Sequence, residues 1–117
     1  MNRNAWQEAL RELTGVGGVL GALVISADDG LVVEEAAIDD LATADVAALS
    51  AALVARAARC TGAMRSGPPS SLHLVAESGT LLAVAGPPPL WLVAVARPDA
   101  EVGRLRLLLR DFAGGLA

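Results

Sequence analysis

The chain has 117 residues, 54% hydrophobic and 19% charged, and its nine basic and 13 acidic side chains leave a net charge of −4. Such a length suits one domain over residues 1–117, and the apolar content excludes a disordered chain, because there is ample surface to bury against the entropy of ordering. The acidic balance excludes a nucleic-acid-binding surface, which needs clustered cations in excess. A single cysteine allows no internal disulfide and agrees with a reducing compartment. Apolar runs such as Leu90–Ala96 fall well short of the roughly 18 residues of a membrane span. Arg3 and Glu8 stand where a secretion signal needs its apolar stretch, so a cytoplasmic chain with no membrane span is expected.

Asn4 and Gln7 read as the N-cap and capping-box partner of a first helix, with Trp6, Leu10 and Leu13 at helical spacing until Thr14-Gly15. Val19–Ser26 is continuously apolar, as in a strand covered on both faces. The Asp29-Gly30 pair then predicts a tight turn into a second strand, Leu31–Glu35. Thr43 is placed to cap a long second helix reaching about Arg65, with Asp39, Asp40 and Asp45 at its start and Arg56, Arg59 and Arg65 towards its end, an order that suits the helix dipole. Gly67-Pro68-Pro69 ends it. A third strand, Ser71–Glu77, turns through Ser78-Gly79 into a fourth, Thr80–Ala85. Gly86 to Pro89 lead to a fifth, Leu90–Ala96. Asp99 is expected to cap a third helix whose buried stripe is Val102, Leu105, Leu109 and Phe112 and whose end is Gly114-Gly115. The result is an α/β (α+β) fold in the order α-β-β-α-β-β-β-α, with a five-stranded antiparallel sheet, helices on both faces and the first and fifth strands adjacent at its centre.

The chemical motifs are sparse. His73 lies between Leu72 and Leu74 in a strand, with no nucleophile or orienting acid indicated near it, so a hydrolase lacks its machinery. One His and one Cys cannot complete a zinc site, Asp28-Asp29 lacks the spaced oxygen ligands of a calcium loop, and Gly15–Gly18 precedes a strand instead of following one. No metal, cofactor or catalytic residue is called for. Glu34 and Glu35 point to opposite faces of a strand and read as solvent-facing edge charges.

The unusual element is the second helix. Val46, Leu49, Leu53, Ala57, Cys60 and Met64 form an apolar stripe expected to face the core, yet the opposite ridge is Ala44, Ala48, Ala51, Ala55, Ala58 and Gly62, where charges would be expected. Either alanine is there as the best helix former, or the small side chains let another backbone approach closely, with Arg56 and Arg59 as polar anchors. A ligand-sensing domain is the rival reading, but only Trp6, Trp91 and Phe112 offer aromatic walls to a cavity.

Gly18 to Val33, the alanine-rich second helix, and Pro98-Asp99 followed by Val102-Gly103-Arg104-Leu105-Arg106 resemble the roadblock (dynein light chain) family, nearest its bacterial MglB-like branch. The resemblance runs from about Leu10 to Leu116. It implies a profilin-like fold and a homodimer whose sheets join through the third strand, at Leu72, His73, Leu74, Val75 and Glu77, with the second helices side by side. It also implies binding of a Ras-like small GTPase, whose hydrolysis some bacterial members accelerate without inserting an arginine. On this reading Ala44, Ala48, Ala51, Ala55, Arg56 and Arg59 form the docking or dimer face. Glu101, where members often carry Asn, and the short turn at Ser78-Gly79 leave the subfamily open.

Overall fold

A computed structural model describes residues 3–38 and 40–115; expectations for Met1, Asn2, Asp39 and Leu116, and for the side chain of Arg3, lie outside the described residues. The elements are α1 (Arg3–Thr14), β1 (Val19–Ser26), β2 (Val32–Ala37), α2 (Thr43–Ala63), β3 (Ser71–Ala76), β4 (Gly79–Ala85), β5 (Leu90–Ala96) and α3 (Val102–Gly115), in the expected order. The five strands form one sheet in the order β2-β1-β5-β4-β3, antiparallel throughout. The two most uniformly apolar strands, β1 and β5, are therefore neighbours, and nearly all their side chains are buried, because helices cover both of their faces.

Strand alternation divides the core in two. On one face Ala22, Val24, Leu82, Val84, Leu92 and Ala94 meet Leu10 and Leu13 of α1 and Leu105 and Leu109 of α3. On the other, Leu23, Ile25, Ala83, Trp91 and Val93 meet Ala47 and Val54 of α2. Each fully buried leucine contributes about 2 kcal/mol relative to exposure, and Leu10, Leu13, Leu23, Leu92, Leu105 and Leu109 are all below 2% exposed. The first face carries two helices, α1 over β1 and β2 and α3 over β4 and β5, whereas α2 runs over β1 and β2. Its face of the sheet is left without a helix on the β4–β3 side.

Several local expectations need correction. α1 begins at Arg3, so Asn4 is already helical, and Gln7 turns its amide to the carboxylate of Glu34 across to β2. Glu34 is buried beneath α1 while Glu35 is exposed, so only the second of this pair is an edge charge. Ala42 takes the N-cap position of α2 with no side-chain cap, and Thr43 is its first helical residue. Glu101, not Asp99, holds the first turn of α3, its carbonyl accepting from Leu105 N–H. In α3, Leu105, Leu109 and Ala113 are buried; Val102 and Phe112 pack against the core from its margin. Glu77 and Ser78 make the two-residue turn, so Glu77 leaves β3 and Gly79 opens β4.

α2 ends at Ala63, where Ser66 N–H donates to Thr61 O across a left-handed residue, Arg65, at φ 58°. This closure favours glycine, and a residue with a Cβ costs about 1 kcal/mol there. Arg65→Gly is expected to raise the unfolding free energy by about that amount in urea titration, since the arginine is exposed.

Candidate functional site

The orientation of α2 reverses the expected assignment of its faces. The residues against the sheet are Ala47, Ser50, Ala51 and Val54, also at helical spacing, whereas Leu49 is 70% and Met64 62% exposed and Cys60 is exposed. Val46, Leu53 and Ala57 are half-buried. The reason is closeness. The turn between β1 and β2 brings Gly30, at φ +72°, against the helix, and a Cβ there would lie 3.2 Å from Ala48 Cα and 3.6 Å from Ala51 Cβ. Small residues on that flank accommodate the chain's own hairpin, so leucines can only face outward.

Of the small ridge, Ala51 is 7% exposed and belongs to the interior, which removes it from any free surface. Ala48 and Ala55 remain exposed but line a shallow cleft with Asp28, Asp29 and Gly30; Ala44 is exposed at the start of the helix. Arg56 and Arg59 are exposed on the outer side of α2, and neither is engaged in an ion pair with a described residue. Helix α2 is also long and apolar enough to pass a length-and-composition test for a membrane span, with only 22% of the tested window buried. Asp45, Arg56 and Arg59 interrupt its apolar residues, so no unbroken apolar run marks it, and the property reflects how much apolar side chain it leaves uncovered.

The uncovered surface continues onto the sheet. Between α2 and β3 lies an apolar groove of about 320 Å³ lined by Val46, Leu49, Ser50, Leu53, Leu74 and Leu81. Its polar side chain, Ser50, is 3% exposed, and the hydroxyl has no hydrogen-bond partner among the described residues. β3 is the sheet edge beside the groove, with Leu74 51% exposed on the α2 side and Val75 71% exposed on the other; Leu72 is half-buried, and His73 and Glu77 are exposed. The two edges of the sheet differ. Along β2 the register slips opposite Val24 and Ile25, and Glu35 is exposed, both of which discourage pairing with a further strand. β3 pairs with β4 in unbroken register from Ser71↔Val84 to Ala76↔Gly79, so its outer side presents a regular row of backbone donors and acceptors.

The structure thus brings Leu72, Leu74 and the outer leucines of α2 to one flank, sets Ala48 and Ala55 on the hairpin flank, and leaves Ala44, Arg56 and Arg59 exposed on α2. Val46, Leu49, Leu53 and Leu81 join the surface although spacing alone assigned the first three to the core. Gly30, four residues after Ser26 and facing an alanine-rich helix, is the signal that the small side chains are the packed ones. Among the described residues no group of three or more His, Cys, Asp or Glu side chains is placed to hold a metal.

The family model described as the Roadblock/LC7 domain matches residues 6–96. No curated protein matches the chain. Among solved structures, MglB of Myxococcus xanthus superimposes with a TM-score of 0.88 at 14% identity over 99% of this chain and 94% of that one. The gliding protein MglB of Thermus thermophilus gives 0.86 at 20% identity, over 95% and 84% of the two chains. A Roadblock/LC7 domain from Streptomyces avermitilis gives 0.84 at 18% identity, over 93% and 92%.

Proposed function

Because the chain belongs to the Roadblock/LC7 family, we propose that it is a non-enzymatic, MglB-like regulator that forms a homodimer and binds a Ras-like small GTPase. The observation that carries this reading is the continuous uncovered surface formed by Leu49, Leu53, Leu74 and the open edge of β3, on a helix that also exposes Arg56 and Arg59. A second copy related by a two-fold axis would extend the sheet edge to edge through β3 and cover the groove with its own α2, an isologous contact in which each copy offers the same edge and the same leucines. The paired helices would then present a broad face carrying two sets of Arg56 and Arg59. That face suits a partner with an acidic rim, since charge complementarity speeds encounter and sets orientation. Any acceleration of GTP hydrolysis would be exerted on the partner's own catalytic groups. The proposed compartment is the cytoplasm.

The test is binding to a Ras-like GTPase of the same organism, loaded with a non-hydrolysable GTP analogue or with GDP. The expected result is a complex whose affinity depends on the bound nucleotide and falls by more than about tenfold in the Arg56→Glu/Arg59→Glu double variant, with the fold intact because both side chains are exposed. Equal affinity of the double variant and the wild type would remove the outer side of α2 from the GTPase contact.

A further inference from the structure

His73 makes two hydrogen bonds that fix its chemical state. Thr80 Oγ1 lies 3.0 Å from Leu74 O and 2.9 Å from His73 Nε2. A hydroxyl has one proton. Thr80 donates it to the Leu74 carbonyl, so the imidazole must donate Nε2–H to the hydroxyl. At the other end of the ring, Arg106 Nη2 lies 3.2 Å from Nδ1. A guanidinium only donates, so Nδ1 must be a bare acceptor. The Thr80 contact places a proton on Nε2, and the Arg106 contact, which needs a bare Nδ1, is met only while the ring carries that one proton.

The chain Leu74–Thr80–His73–Arg106 crosses three elements. It links the edge strand β3 to β4 and, through Arg106, to α3. The Leu74 carbonyl is turned towards β4, so by strand alternation the backbone N–H and C=O of His73 and Val75 point out along the open edge. The residue held by the network is thus one whose backbone would pair with a second copy. Opposite His73 on β4 stands Leu82, which carries no charge. Arg106 is the charged group facing the ring from α3; Arg110, one turn on, and Glu77, at the hairpin turn, make neither a hydrogen bond nor an ion pair with it.

Resting on the homodimer reading, we propose that His73 and Arg106 are positioning residues for the β3 edge and make self-association sensitive to acid. A proton added at Nδ1 turns the acceptor into a donor and sets an imidazolium against a guanidinium. The link to α3 then breaks, and the edge strand loses its anchor to the helix layer. Protons therefore favour the separated chains. Each proton taken up on dissociation changes the dissociation constant by as much as about tenfold per pH unit, and a two-fold dimer contains two such rings.

Sedimentation equilibrium at pH 7.5 and pH 5.5 tests this with the wild type, His73→Gln and His73→Ala. Glutamine does not titrate, yet its carbonyl can accept from Arg106 and its amide can donate to Thr80. The expected results are a wild-type dimer weakened by about tenfold or more at pH 5.5, a His73→Gln dimer near wild type at pH 7.5 and unchanged at pH 5.5, and a His73→Ala dimer weakened at both. A wild-type constant that is the same at both values, a His73→Ala dimer as tight as wild type, or a His73→Gln dimer that keeps the wild-type pH dependence overturns the inference and leaves the dimer standing. A wild type that is monomeric at both values overturns the dimer reading and the inference with it.

Discussion

Leu49→Glu is expected to leave the chain folded and to weaken its self-association by at least about a hundredfold. Leu49 is 70% exposed and borders the groove that ends at Leu74, so in a single chain the carboxylate stays in water. In a two-fold dimer the same substitution acts twice, placing two like charges in an apolar contact from which water is excluded. Leaving an unpaired charge in such a contact costs several kcal/mol. Sedimentation velocity gives the association constant and circular dichroism reports the fold. A dimer of unchanged strength would remove the α2–β3 groove from the interface.

Ala51→Glu, two residues further along the same helix, should do the opposite. Ala51 is 7% exposed, with its Cβ turned to the β1–β2 hairpin at Gly30 and no cation in an ion pair nearby among the described residues. The carboxylate is forced against the hairpin at Gly30 and towards the acidic pair Asp28 and Asp29, which line the same cleft as Ala51. Destabilisation by about 3–4 kcal/mol is expected, in the range of other uncompensated buried charges. Urea unfolding measures it, and a loss below about 1 kcal/mol would mean that the hairpin and α2 are not closely packed. The contrast between neighbouring positions separates the fold from the interface, which a charge placed on the alanine ridge alone would confuse.

The same two positions explain how far the sequence could be read. Element order, sheet class and the pairing of β1 with β5 follow from patterns of 8 and 7 consecutive apolar or small residues, which leave little freedom over where a strand lies. Caps were less legible. Thr43, Asn4 and Asp99 have suitable side chains, but the helices begin one or two residues away because the incoming chain direction, set by tertiary packing, decides which carbonyl closes the first turn. The buried face of α2 is ambiguous in the sequence for a different reason. Leu49, Leu53, Cys60 and Met64 have helical spacing, and so do Ala47, Ser50, Ala51 and Val54. Hydrophobicity ranks the first set as the core; the approach of the Gly30 turn selects the second, because only small side chains fit between a helix and a backbone so close to it. The outer leucines are therefore legible as an apolar stripe, but the surface they face is not. The Thr80–His73–Arg106 contacts join positions 7 and 33 residues apart, which no local pattern connects.

One face, the outer side of α2 together with the edge of β3, is proposed to carry both contacts, and hydrogen exchange of the chain with and without a Ras-like GTPase in its GTP-analogue form reports on both at once. Slow exchange in β3 is expected in the free protein at concentrations where it is dimeric and is lost on dilution, and adding the GTPase is expected to protect the α2 segment containing Leu49, Arg56 and Arg59. Protection confined to α3 or to the β2 edge, with α2 and β3 unchanged, would contradict it.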